Sequence, residues 1–209
     1  MILSWQVSRN FLTINYTTKG KVNPMKQTKV RRMVTCAMLA AIYTAVSFVL
    51  APISYGFVQI RVAEAMTLLP VFAPSAVFGV TLGCFVTNLI GFMTGANILG
   101  WLDIVFGTAA TLIAAWMTWF LRDVRIKGLP VLAAIPPVLM NAVVIGLELC
   151  WLISGGFNWA VFLLNAISVG VGQIVSCFLL GLPLVWWLEK TGLHRRMFSQ
   201  RNVDPDENR

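Results

Sequence analysis

Six apolar runs follow one another along the chain with only short polar breaks between them. They are Met33 to Ala51, Val62 to Phe72, Ala76 to Phe92, Leu99 to Leu121, Leu129 to Ile153 and Trp159 to Leu188. About 20 apolar residues cross the hydrocarbon core of a bilayer as a helix. In lipid the backbone must satisfy its own hydrogen bonds, which leaves helices or closed barrels. Runs of this length predict an all-α integral membrane protein with six transmembrane helices, one domain over residues 25–191. The second run is short in its apolar part. The sixth would be about 45 Å long if helical throughout and must tilt or protrude. Only 11% of residues are charged, against about 25% in a soluble domain.

The breaks carry turn chemistry: Pro52, Ser54 and Gly56, then Pro70, Pro74 and Ser75, then Gly91 to Asn97, then Arg122 to Gly128, then Ser154 to Asn158. Residues 1–24 contain no uninterrupted apolar core before a small-residue cleavage site, so no signal peptide is expected. Met25 opens a short basic lead, and residues 1–24 read as a disordered or non-native extension. Residues 192–209 read as a charged cytoplasmic tail, with His194 solvated there. The net charge of +8 sets orientation before it suggests nucleic-acid binding. Six crossings put both termini on one side. That side carries the basic lead, the Arg122–Lys127 loop, Lys190, Arg195 and Arg196, so both termini are expected to be cytoplasmic.

Against this background the polar residues are few and unevenly placed. Arg61 and Glu64 lie in the outer turns of the second helix, and Asn88 in the outer half of the third. Asn97 is in the outer loop, and Asp103 one turn into the fourth helix. Asn141, Ile145 and Glu148 share a face of the fifth by i, i+4, i+7 spacing. Asn165 and Gln173 lie in the outer half and middle of the sixth. The inner halves hold little beyond Thr and Ser. The pattern describes a polar cavity open to the outside above an apolar floor. A lone Asn in a membrane helix often only bonds a neighbouring helix, and an Arg61–Glu64 pair one turn apart can be purely structural. Three carboxylates against one Arg are harder to explain that way, because at least two need a donor from elsewhere.

Two further patterns bear on packing. Ala37, Ala41 and Ala45 recur at four-residue spacing in the first helix, and Gly79 and Gly83 in the third. Such faces allow close helix approach. For the glycines an intramolecular contact is expected, and for the alanines an external partner is a fair alternative. The four cysteines form no CxxC pair and read as buried small hydrophobes. Neither a Walker A, an HExxH nor a GxSxG pattern occurs. No catalytic residues, metal ligands or cofactor are assigned, and no enzymatic activity is expected. A transporter built on this chain would draw its energy from partners.

Several motifs in order resemble the QueT family, substrate-binding membrane subunits (S components) of energy-coupling-factor transporters for queuosine precursors. They are Ser54-Tyr55-Gly56, Gln59-Ile60-Arg61-Val62-Ala63-Glu64-Ala65, Leu69-Pro70, the run from Leu99 to Thr108, Pro136 to Ala142, Gly146-Leu147-Glu148 and Leu180 to Leu184. The resemblance covers roughly Met25 to Thr191. It implies an S-component-like fold in a prokaryotic plasma membrane, with a pocket near the outer face. It also implies a transmembrane coupling subunit (T component), met through Ala37, Ala41 and Ala45, and two cytoplasmic ATPases that use the ATP. The family pattern often carries an acid where this chain has Gln173.

The implied substrate is a 7-deazaguanine: the aminomethyl form, the cyano form, or queuine. The residues expected to bind it are Tyr55, Gln59, Arg61, Glu64, Asn88, Asn97, Trp101, Asp103, Asn141, Glu148, Asn165 and Gln173. One carboxylate can accept two parallel N–H groups of a guanine-like edge, and Tyr55, Phe57 and Trp101 can stack on the ring. Arg61 is expected to orient Glu64, and Gly56 to act as a hinge beside the pocket. Two other readings stay open: an S component for another small vitamin, and a stand-alone homo-oligomeric channel or facilitator.

Overall fold

A computed structural model describes residues 29–50, 61–97 and 99–198. All the regular elements in these residues are helical. Five helices are long and apolar enough to cross a membrane: α1 (Lys29–Val49), α3 (Pro74–Met93), α4 (Asp103–Phe120), α5 (Val131–Ser154) and α6 (Trp159–Thr191). The second apolar run forms α2, a 3₁₀ helix over Val62–Val71, and a last short helix, α7, covers Leu193–Phe198.

Local sequence accounts for the boundaries. Pro74 opens α3 after the extended Ala73, where its missing N–H costs nothing. The Asn158 side chain caps α6, its Oδ1 accepting from Ala160 N (3.0 Å) and Val161 N (3.3 Å). Gly155 and Gly192 end α5 and α6 with φ of 63° and 69°, the left-handed cap that glycine adopts without penalty.

Side-chain contacts give the direction of every helix. Cys36 Sγ donates to the Ser75 carbonyl (3.0 Å), and Thr44 Oγ1 to the Gly83 carbonyl (3.3 Å). Contacts that advance together mean that α1 and α3 run parallel, so the chain must return the length of the bundle between them. The return includes α2. Its start lies level with Tyr43 and Asp103, and the Phe72 ring that follows it stacks on His194 and Phe198 at the other end. Ten residues of 3₁₀ helix rise only about 20 Å, short of the ~30 Å hydrocarbon core. Ala63 through Val71 are all buried, so α2 is a core element with no lipid-facing side. The remaining helices alternate. Phe78 meets Trp116 while Asn88 meets Asp103, Thr118 meets Ala133, and Gly146 lies against Ala166.

The α1–α3 contact depends on two glycines. A Cβ at Gly79 would lie 2.9 Å from Leu39 Cβ, and one at Gly83 2.7 Å from Tyr43 Cβ. These glycines serve intramolecular packing. Ala37, Ala41 and Ala45 lie on the opposite face of α1 and are exposed. Cys84, Cys150 and Cys177 are buried and Cys36 is half-buried.

Most of the core, including Leu39, Leu68, Phe72, Val77, Val80, Val185 and Phe198, fills one half of the bundle. A smaller cluster of Leu99, Ile145, Leu149 and Val169 sits toward the other end. The first end is basic. Arg125 pairs with Glu189 at 2.7 Å, Arg122 covers the Trp119 ring, Lys190 lies over Trp186, and Arg31 donates to the Arg196 carbonyl. The charged tail is therefore not all solvated. Gly192 reverses the chain, Phe198 becomes fully buried, and His194 stacks on Phe72 with its Nδ1 2.8 Å from the Leu188 carbonyl. The apolar faces of Phe72 and Phe198 supply the reason, since each ring covers surface the other would leave open. Large apolar side chains such as Phe78, Ile113, Leu164 and Leu179 point outward, as a lipid-facing surface requires.

Candidate functional site

The polar residues collect where α2 begins, away from the basic end. Asp103 is the centre. It opens α4 in a π-helical turn, Asp103–Gly107, and is fully buried. Its Oδ2 accepts from Arg61 Nη2 and from Asn97 Nδ2, both at 2.8 Å. Asn97 is itself fixed, because its Oδ1 accepts from Leu99 N (3.1 Å). Asn88 Nδ2 donates to the Asp103 backbone carbonyl at 2.8 Å. A Cβ at Gly107 would run into the Asp103 carboxylate. Single π turns inside α-helices recur at functional sites. This one turns a carboxylate toward α2, and a second, Val175–Gly181, packs α6 on the same helix, with Gly181 near the Ala65 carbonyl.

Glu64 lies one 3₁₀ turn after Arg61, a spacing that stacks their side chains in one row. They do not pair. The expectation that Arg61 orients Glu64 is corrected: the Arg61 hydrogen bond goes to Asp103, and Glu64 Oε1 accepts from the Tyr43 hydroxyl at 2.7 Å. Tertiary proximity supplies Arg61 with a fully buried carboxylate, and a buried Tyr hydroxyl needs an acceptor. Asn141, on α5, faces Glu64. Glu64 Oε2 and Asn141 Nδ2 are buried without a hydrogen-bond partner among the described residues.

Glu148 stands apart from the other two acids. It is 6% exposed and lies in the electrostatic field of both Asp103 and Arg61. Neither of its carboxylate oxygens has a hydrogen-bond partner among the described residues. The face expected from spacing is present, since Asn141, Ile145 and Glu148 are all buried. Leaving both acceptors of a buried carboxylate unmet costs several kcal/mol.

Other candidates are placed differently. Gln173 is buried, and its Oε1 is 3.7 Å from Cys177 Sγ, which also lies 3.8 Å from the Glu64 carbonyl. That puts Gln173 beside the cluster. Asn165 spends its amide on the Val161 carbonyl of its own helix (2.9 Å). Trp101 is 62% exposed, so its ring does not join the buried group. Tyr55, Phe57 and Gln59, with the Gly56 hinge, fall outside the described residues. Sequence reading passed over Tyr43 and Gly107. Tyr43 had a signal: a phenol in the middle of an apolar helix must find an acceptor. Gly107 had none, because only the turn at Asp103 makes a Cβ there impossible.

A helical bundle with a lipid-facing apolar exterior and, among the described residues, a buried polar cluster with unmet acceptors defines a multi-pass membrane protein. Comparison with known proteins gives that class a family. The model of the QueT transporter family matches residues 33–190, and the chain belongs to this family. It is also 33% identical over 91 residues to the queuosine precursor transporter QueT of Lactococcus lactis subsp. cremoris (strain MG1363), across 43% of this chain and 50% of the relative. The chain thus spans half the length of that curated relative in the match. No solved structure matches.

Proposed function

We propose that this chain is the substrate-binding membrane subunit of an ATP-driven energy-coupling-factor uptake transporter. It captures a queuosine precursor, a 7-deazaguanine such as the 7-aminomethyl or 7-cyano form or queuine, at the outer face of a prokaryotic plasma membrane. Six crossings, α2 counted as the second, put both termini and the basic end in the cytoplasm. ATP is used by partners: a transmembrane coupling subunit that meets Ala37, Ala41 and Ala45, and two cytoplasmic ATPases.

The observation that carries this reading is the group of Glu64, Asp103, Asn141 and Glu148, all buried, with the half-buried Arg61, and with acceptors left unmet among the described residues. A ligand rich in N–H groups satisfies such a set. The parallel α1–α3 pair supports the six-crossing count, and the exposed alanine stripe suits a partner helix. The apolar half of the bundle below the cluster speaks against a continuous polar channel through one subunit.

Native mass spectrometry on the protein purified in detergent tests the reading. A co-purified or added deazaguanine is expected in one-to-one complex, and ATPase subunits are expected to co-purify from the native host. Recovery of an unrelated vitamin as the bound molecule would replace the substrate, and a polar-solute flux in liposomes containing this chain alone would replace the mechanism.

A further inference from the structure

The three buried acids of the cluster are not equivalent, and the differences assign their roles. Asp103 is committed on one oxygen. Its Oδ2 holds Arg61 and Asn97 and its backbone carbonyl holds Asn88, while its Oδ1 lies against Gly107 with no hydrogen-bond partner among the described residues. Glu64 is half consumed, by Tyr43 on one oxygen with Asn141 facing the group. Among the described residues, Glu148 alone of the three presents two oxygens without a hydrogen-bond partner, and it is more than nine-tenths buried. Among the described residues the one cation of the cluster is Arg61, and it is already paired with Asp103 at 2.8 Å. So the donors that complete Glu148 come from outside this set.

We infer that Glu148 is the specificity-determining acid, accepting the two parallel N–H groups of a 2-aminopyrimidinone edge, while Asp103 and Glu64 are positioning residues that shape the pocket wall. This rests on the deazaguanine reading and deepens it. The ring N–H and the exocyclic amine of that edge lie side by side and point the same way, and a carboxylate accepts them together. A compact ammonium, such as an aminomethyl group, can also reach both oxygens, but as a rotatable point charge without the two fixed, parallel donors of the ring edge. A site built to hydrogen-bond a substrate N–H rejects the analogue that lacks it strongly, because buried polar groups are then stranded.

The test uses isothermal titration calorimetry on the full chain in detergent with three probes: 7-deazaguanine, 7-deazahypoxanthine (no exocyclic amine) and 7-aminomethyl-7-deazaguanine. The wild-type protein is expected to prefer 7-deazaguanine over 7-deazahypoxanthine by roughly 100-fold or more. Glu148→Gln, which keeps the shape but turns one acceptor into a donor, is expected to collapse that preference to within about 3-fold, a loss equivalent to at least one strong charge-assisted contact. A preference that survives in Glu148→Gln overturns the assignment. So does a loss confined to the aminomethyl ligand, which would move Glu148 to the ring substituent. If the variant does not fold, wild-type indifference to the exocyclic amine still overturns the inference while leaving deazaguanine binding in place. Failure of all three probes to bind wild type would instead bring down the substrate reading itself, and the inference with it.

Discussion

Arg61 and Asp103 are 42 residues apart and meet at 2.8 Å, the guanidinium 16% exposed and the carboxylate fully buried. The pair ties the start of α2 to the start of α4. It also neutralises the one cation that the described residues bring to the cluster, which leaves Glu64 and Glu148 to other donors.

Breaking this pair from either side is expected to cost more than removing it whole. Asp103→Leu or Arg61→Met alone strands a buried charge, a loss of about 3–5 kcal/mol. The double variant replaces an ion pair by apolar groups and should recover most of that. Ranking apparent thermal midpoints of the four proteins in one detergent checks it. Strictly additive losses would mean that the two side chains do not act as a pair.

Gly107→Ala is expected to damage the site without unfolding the bundle. Alanine is worth about 1 kcal/mol more than glycine inside a helix, so local propensity argues for a gain. Here the added Cβ would meet the Asp103 carboxylate, pushing it off Arg61 and Asn97. Affinity for the bound solute should fall at least about 10-fold, near 1.4 kcal/mol. Gly170→Ala is the control, because its Cβ would sit at an ordinary 3.6 Å from Ala142 Cβ. Equal affinities in the two variants would remove Gly107 from the account.

Phe198→Ala should loosen the basic end. The ring is fully buried and stacks on Phe72 with centroids 5.8 Å apart. Truncating a buried Phe to Ala typically costs about 3–5 kcal/mol. The expected result is a lower thermal midpoint and faster hydrogen exchange over Leu193 to Met197, with solute affinity within about 3-fold of wild type, since the polar cluster sits at the other end of the bundle. Unchanged exchange over α7 would show that the Phe72 contact does not hold it.

The polar census along the chain already selected Arg61, Glu64, Asp103, Asn141 and Glu148, because charge and amide side chains are rare enough in apolar runs to stand out. It could not pair them. Arg61 and Glu64 are three residues apart, and a local reading joins them; only the packing of α4 against α2 offers Arg61 a better partner. The same limit explains Trp101, an aromatic at the right depth that stays largely exposed, and His194, a polar residue in a charged tail that folds back onto Phe72. Tyr43 stands in an apolar helix as one aromatic among many until the chain brings Glu64 within 2.7 Å of its hydroxyl.

What the sequence alone determined is the class: runs of apolar residues with short breaks have no stable soluble fold, and lipid accepts them as helices because each helix closes its own backbone hydrogen bonds. Local rules also set the caps at Asn158, Gly155 and Gly192, since those depend on neighbours a few residues away. The tertiary structure decided which acid is paired and which is left open. That outcome depends on the parallel contact of α1 with α3 through Gly79 and Gly83, and on the return of the chain as a buried 3₁₀ helix. These bring Tyr43, Glu64, Arg61 and Asp103 together from distant positions, and the energies of buried charges depend on separations of a few ångströms that spacing along the chain does not contain.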